Sequence, residues 1–469
     1  MQDLCFLSIA ELAQQIQRRE VSPLEVTRAY LDRIQAVDGQ LNSYISLTAE
    51  RALEDAKAAE AAIQAGTYRG PLHGIPLAHK DIVATRGIKT TCGSRVLKDA
   101  LPDYDGAVIE RLQAAGSVLL GKLNMNEFAT IIPSPHFGPV NNPWNLEHSP
   151  GGSSSGSGAA VAAGLCAGSL GTDTGGSIRI PAAFCGTVGL KASHGRISLY
   201  GVTPLAWSLD HIGPLTRTVQ DAALMLHALA GYDGRDVVSS QTPVVDYTAK
   251  LTGEVSGLRL GVPTHFFPDS TDPEVQSAFE QAVQVLASLG AQIEEVELPA
   301  LDRVWPDIAE VLLNAEANVW HEPYLQSQAD DYGPKVRRFL ERGKPTLATD
   351  YVKARHAQAR FRQDMLTRFG RLDAILTPGA LIPAPRHDAR SATIKGREVK
   401  LMSALISATC PFNVTGQPAL SLPCGFTRSG LPLALQIVGK AFDEATVLQI
   451  GHAYEVHTDW HTRRPPLPA

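Results

Sequence analysis

Residues Ser149 to Gly186 read SPGGSSSGSGAAVAAGLCAGSLGTDTGGSIRIPAAFCG. Neither a helix interior nor a strand interior favours serine and glycine at this density. Glycine costs backbone entropy, and serine competes for backbone hydrogen bonds. The stretch therefore reads as a flexible linker, as a phosphate cradle, or as a place where a serine hydroxyl does chemistry. Its small apolar run AAVAAGLCAG, after Gly158, reads as a helix lying close to other backbone. The serines ahead of that run fall at or just before the helix N-terminus, where amide groups lack partners. Further on, Gly175 and Gly176 directly precede Ser177. A Gly-Gly pair permits a tight turn that aims consecutive N–H groups inward. A serine at the end of such a nest has an oxyanion site beside its own hydroxyl. Alone, each cluster reads equally well as a helix cap. Two clusters in one stretch shift the balance, and so does a lysine upstream. Lys80 ends the apolar run GIPLAHKDI, which delivers its amine to the interior. A buried lysine loses affinity for its proton and can act as a neutral base. Serine and lysine together can transfer acyl groups without histidine.

The surrounding chain has an α/β rhythm. Ser8 with Glu11, and Ser22 with Glu25 behind Pro23, are capping boxes that open two N-terminal helices, and 48–65 reads as a third. Short apolar runs then alternate with helical patterns, including helices over 273–289 and 443–456. The fold class expected is α/β: a single large domain, 1–469, with a central mixed β-sheet flanked by helices. Its core falls at about 70–220 and its N-terminal helices at 8–65. The polar stretch 326–350 reads as a surface excursion.

Composition narrows the function. Of 469 residues 44% are hydrophobic and 19% charged, so a large core is expected and disorder is not. A net charge of −6 with no run of one sign argues against a nucleic-acid surface. The six cysteines are scattered without a CxxC pair and no secretory signal is recognisable, which points to reduced thiols in a cytoplasmic protein. No apolar run approaches the ~20 residues of a membrane span.

Three other motifs fail on inspection. Gly116–Lys122, GSVLLGK, has Leu123 where a phosphate-binding loop needs Ser or Thr, and its interior is a strand pattern. GSSSG, centred on Ser154, matches a nucleophile elbow but follows a loop rather than a buried strand. His457 and His461 share a helical spacing without a third ligand, so no metal is expected.

Taken together, these residues resemble the amidase signature family. The resemblance rests on Gly151-Gly152-Ser153-Ser154-Ser155-Gly156, the small-residue helix, and Gly171-x-Asp173-x-Gly175-Gly176-Ser177-Ile178-Arg179-x-Pro181. Segments 79–94, 193–223 and 412–455 fit as well, and the likeness is loose between about 240 and 370. It implies a Ser–cis-Ser–Lys triad with Ser177 as nucleophile, Ser153 as bridge behind a cis peptide, and Lys80 as base. It implies an oxyanion hole from the N–H groups of Thr174, Gly175, Gly176 and Ser177. Asp173 and Arg179 would brace the loop, and Asp81 is expected to turn away from Lys80. No cofactor or metal is implied.

The activity this implies is hydrolysis of a carboxylic amide-type C–N bond through an acyl-enzyme. KLNMNEFA and SLDHIGP also resemble the glutamine-hydrolysing component of glutamyl-tRNA(Gln) amidotransferase, its A subunit. Proteins of that type carry an aspartate that aligns near Ile406 and an arginine that aligns near Gln358, and this chain has neither. Together with the apolar loop 129–140, this favours an aryl or alkyl amide, an anilide or a carbamate. The alternatives are that glutamine-hydrolysing component and a non-catalytic binding protein on the same fold. The partners expected are a small-molecule amide, with no nucleic acid and no membrane; a homodimer is left open.

Overall fold

A computed structural model of the chain describes residues 4–467. The strands are β1 (Tyr44–Leu47), β2 (Pro76–Lys80), β3 (Val118–Leu123), β4 (Gly168–Thr172), β5 (Val188–Lys191), β6 (Ile212–Thr216), β7 (Arg259–Pro263), β8 (Gln292–Val296), β9 (Ala374–Pro378), β10 (Ser391–Ile394), β11 (Arg397–Lys400), β12 (Ala419–Phe426) and β13 (Pro432–Gly439). Eleven of them form one sheet in the order β1-β3-β2-β4-β6-β5-β12-β13-β9-β7-β8, and β10 with β11 makes a separate hairpin. The sheet is mixed. β3, β2 and β4 run parallel, β4 through β6, β5, β12, β13 and β9 alternate, and β9, β7 and β8 are parallel again.

Position in the sheet explains the sequence texture. β2, β4, β6 and β13 are buried along their whole length, so both faces need apolar or small residues. The edge strand β8 reads QIEEV and is mostly exposed, its charges discouraging pairing with other chains.

Both capping boxes form, with Ser8 accepting from the Glu11 amide and Ser22 from the Glu25 amide. The expected helices over 48–65, 273–289 and 443–456 are observed as Ala49–Gln64, Pro273–Ser288 and Glu444–Val456. The stretch 326–350 is mostly exposed, as expected of a surface excursion. It contains the helix Pro334–Glu341, which buries Val336 and Leu340 and turns Lys335, Arg338 and Phe339 toward a cavity. The cause is its apolar spacing, which anchors one face and leaves the basic residues free to serve another. All six cysteines are buried, and no disulfide occurs among the described residues. Among the described residues no helix is long and apolar enough to cross a membrane.

Candidate active site

Two neighbouring parallel strands, β2 and β4, end at the same side of the sheet and place Lys80 beside Thr172. Lys80 is fully buried, and its Nζ donates to Ser153 Oγ at 2.8 Å and to Thr172 Oγ1 at 2.7 Å. Burial lowers its pKa from 10.5 to about 7, and the more distant carboxylates of Asp173 and Asp210 oppose this only in part. Asp81, next in the chain, faces the other way. Its carboxylate accepts from the Thr91 amide at 2.8 Å and pairs with Lys122 at 3.4 Å. Lys122 itself donates to Val83 O at 2.7 Å from within β3, a structural arrangement unlike a phosphate loop.

The serine cluster leads into the helix Ser155–Ala162, with Ser154 at the N-cap position but no serine side chain capping the helix. Gly151 has φ +85°, and a Cβ there would stand 2.9 Å from the Pro181 backbone, so glycine is required. The Gly152–Ser153 peptide bond is cis. Ser154 and Ser157 point into the sheet instead: Ser154 Oγ donates to Thr172 O at 3.1 Å, and Ser157 Oγ to Leu170 O at 2.9 Å. Among the three consecutive serines only Ser153 reaches Lys80.

Ser177 follows Gly176, whose φ is +135° and whose missing Cβ leaves room for Thr409 Oγ1. The Ser154 amide donates to Ser177 O at 3.3 Å, tying the two clusters together. The structure thus brings Lys80 and Ser153 into contact. It leaves Ser177 Oγ without a hydrogen-bond partner among the described residues, at the floor of a 330 Å³ cavity.

One expected donor is corrected. The Gly176 amide is not available to an oxyanion, because it donates to Asp173 Oδ1 at 2.7 Å. An aspartate three residues ahead of a tight turn competes for that amide. The amides of Thr174, Gly175 and Ser177 have no partner among the described residues, which reduces the expected nest from four donors to three.

Asp173 and Arg179 form a fully buried bidentate pair, with Nε–Oδ2 and Nη2–Oδ1 both at 3.0 Å. Burial pushes the Asp173 carboxyl up, but Arg179 outweighs it and holds the group well below the usual carboxylate range. Arg179 also donates to Thr409 O at 2.9 Å, Gln436 Oε1 at 2.8 Å and Asn413 Oδ1 at 2.7 Å. Thr409 Oγ1 donates to Gly175 O at 2.6 Å and fixes the turn from the far side. Sequence reasoning missed Thr172, Thr409, Asn413 and Gln436. The one signal for Thr409 and Asn413 was polarity inside a segment, 401–425, that carries no charge.

The cavity above Ser177 is walled by Ile131, Ile132, Ile180, Leu205, Trp305 and Ile406. The start of the apolar loop 129–140 contributes to it as expected. Ile406 stands in the wall, whereas Gln358 lies elsewhere, donating to Val414 O at 3.1 Å. His457 and His461 join no metal-binding group; none of three or more such ligands occurs among the described residues.

The chain matches the family described as Amidase over residues 25–448. It is 42% identical over 489 residues to the A subunit of a glutamyl-tRNA(Gln) amidotransferase from Moorella thermoacetica, covering 99% of each chain. Among solved structures, one of an s-triazine catabolic enzyme's vestigial protein complex aligns with TM-score 0.91 at 30% identity, covering 96% of this chain and 98% of that one. A peptide amidase from Stenotrophomonas maltophilia aligns with TM-score 0.86 at 31% identity, covering 98% of both. These findings correct the expected partners. Relatives alike along their whole length are named as one component of an amidotransferase for glutamyl-tRNA(Gln), so neither the exclusion of nucleic acid nor a bare homodimer stands. Net charge describes only this chain's own surface, and an assembly can engage a nucleic acid through another of its chains. The relatives' names also favour the glutamine-hydrolysing alternative over the aryl- or alkyl-amide reading.

Proposed function

The chain belongs to the amidase family, hydrolases of amide C–N bonds, and on that premise we propose that it cleaves a carboxamide through an acyl-enzyme on Ser177. The observation that carries the reading is the buried Lys80 amine 2.8 Å from Ser153 Oγ. With its pKa near 7, Lys80 supplies a neutral base at physiological pH. Lys80 takes the Ser153 proton as Ser153 takes that of Ser177. Ser177 Oγ then bonds to the carbonyl carbon, and the new oxyanion lies against the amides of Thr174, Gly175 and Ser177. The C–N bond breaks as the proton returns through Ser153 to the leaving nitrogen. Water then attacks the ester and gives the carboxylic acid. Hydrogen bonds of this kind are commonly long before substrate binds, which fits the unpartnered Ser177 hydroxyl.

For the substrate, whole-length similarity to the glutamyl-tRNA(Gln) amidotransferase relatives supports glutamine as the amide. In that reading the chain is one component of an assembly whose acceptor is glutamyl-tRNA(Gln). A specific observation supports a second reading, a stand-alone amidase: Ile406 presents an apolar wall where an ammonium would need a carboxylate, and no carboxylate lines the cavity. Ammonia or amine release from glutamine, an aliphatic amide, an anilide and a carbamate separates the two. Preferred turnover of glutamine supports the first. Turnover of the others without glutamine supports the second. Failure with all four, together with no fluorophosphonate labelling, leaves a binding protein.

A further inference from the structure

Four basic residues lie on or just after the helix Pro334–Glu341, and the fold divides them into two sets. Arg337 is neutralised on the outer face, pairing with Asp330 at 2.8 Å and Glu341 at 2.9 Å. Lys335, Arg338 and Arg342, spaced i, i+3 and i+7, share the opposite face and line the cavity above Ser177. None of the three has an ion pair among the described residues. No carboxylate lines this cavity; Arg342 also lines the adjoining cavity, whose wall includes Asp269, Asp302 and Glu310, whereas Lys335 and Arg338 line only this one. Apart from Thr130, Thr174, Gly175 and Ser177 the remaining wall is apolar, so the positive potential at the mouth is focused rather than dispersed. At 330 Å³ the cavity is at the small end of the ~300–1,000 Å³ typical of ligand pockets. A substrate with its amide on Ser177 therefore extends toward these cations.

We infer that the substrate is an anionic amide whose carboxylate, at the end away from the scissile bond, is held by Arg338 and Arg342 with Lys335. Guanidinium groups suit this, because they take a carboxylate through two parallel hydrogen bonds. The inference rests on the amide-hydrolysis reading and adds the charge of the substrate. The carboxylate has two sources, a zwitterionic amino acid such as glutamine or a simple monoamide of a dicarboxylic acid. Solvated surface cations are common and need no ligand, and that alternative makes a different prediction.

The experiment compares kcat/KM for glutarate monoamide, glutamine and neutral butyramide in the parent protein and in Arg338→Gln, Arg342→Gln and the double variant. The ratio of glutarate monoamide to butyramide should fall about tenfold or more in each variant, mainly through KM. Arg337→Gln, on the neutralised face, should leave that ratio unchanged. Glutamine distinguishes the sources: turnover matching glutarate monoamide assigns the zwitterion, and much slower turnover assigns the simple anion. Calorimetric titration with glutarate, the product-like dianion, needs no turnover. It should show binding to the parent protein that weakens about tenfold in the double variant. An unchanged ratio with butyramide still hydrolysed, or glutarate binding that is absent or indifferent to the two arginines, overturns the inference. The first of these outcomes leaves amide hydrolysis itself standing.

Discussion

Replacing Lys80 with arginine keeps the positive charge and removes the ability to give up a proton. The structure sets the size of the effect. Burial brings Lys80 from 10.5 to about 7, so at pH 7 about half of it is neutral, against roughly one part in 3,000 for an ordinary lysine. The neutral form is the active one, so kcat/KM rises with pH. Between pH 6 and pH 8 the neutral fraction climbs from about one-eleventh to about ten-elevenths, which predicts a roughly tenfold gain along a single ionisation near 7. The assay is a pH series of kcat/KM with any amide the protein hydrolyses, in buffers of constant ionic strength. Lys80→Arg should fall to the level of Lys80→Ala, and the ionisation near 7 should vanish from the residual rate of both. An arginine variant keeping most of its activity, or a parent profile flat across pH 7, would refute a proton-accepting role for Lys80.

Ser153→Ala should cost most of the activity while the protein stays folded. Ser154→Ala should instead lower the thermal midpoint, since it strips buried Thr172 backbone groups of their partner, and should keep more of the rate; the reverse pattern would move the bridging role by one residue. Gly176→Ala should abolish activity, because a Cβ there meets Thr409 Oγ1 at a φ of +135°; normal kinetics in Gly176→Ala would contradict it. Arg179→Ala should cost about 3–5 kcal/mol by stranding the buried Asp173 carboxylate, read from denaturant midpoints; a loss below about 1 kcal/mol would show that Asn413 and the Gly176 and Ile178 amides, which also donate to that carboxylate, suffice.

The parts of the fold and site written in local chemistry were legible in the sequence. The capping boxes at Ser8 and Ser22, the helix over 273–289 and the buried strand ending at Lys80 each rest on a few neighbouring residues. The serine and glycine clusters were legible for the same reason, since their spacing restricts the backbone directly. What depended on distant segments was not. Thr409 and Asn413 reach the turn at Gly175 from more than 230 positions away, and nothing near either residue announces that contact. The stretch 326–350 was legible only as polar; that it holds the helix Pro334–Glu341, with one basic face toward the cavity, is decided by tertiary packing. The Gly176 amide was misassigned because a nest and an Asp-capped turn have the same sequence, and only the rotamer of Asp173 separates them.

The chemical role of Ser177 is tested by incubating the intact protein with a fluorophosphonate, digesting it and locating the adduct by mass spectrometry. A single phosphonylated residue, Ser177, is the expected result, with labelling slowed severalfold or more in Lys80→Arg and Ser153→Ala. An adduct on Ser153 or Ser154, or labelling of Ser177 at the parent rate in both variants, would contradict the proposed relay.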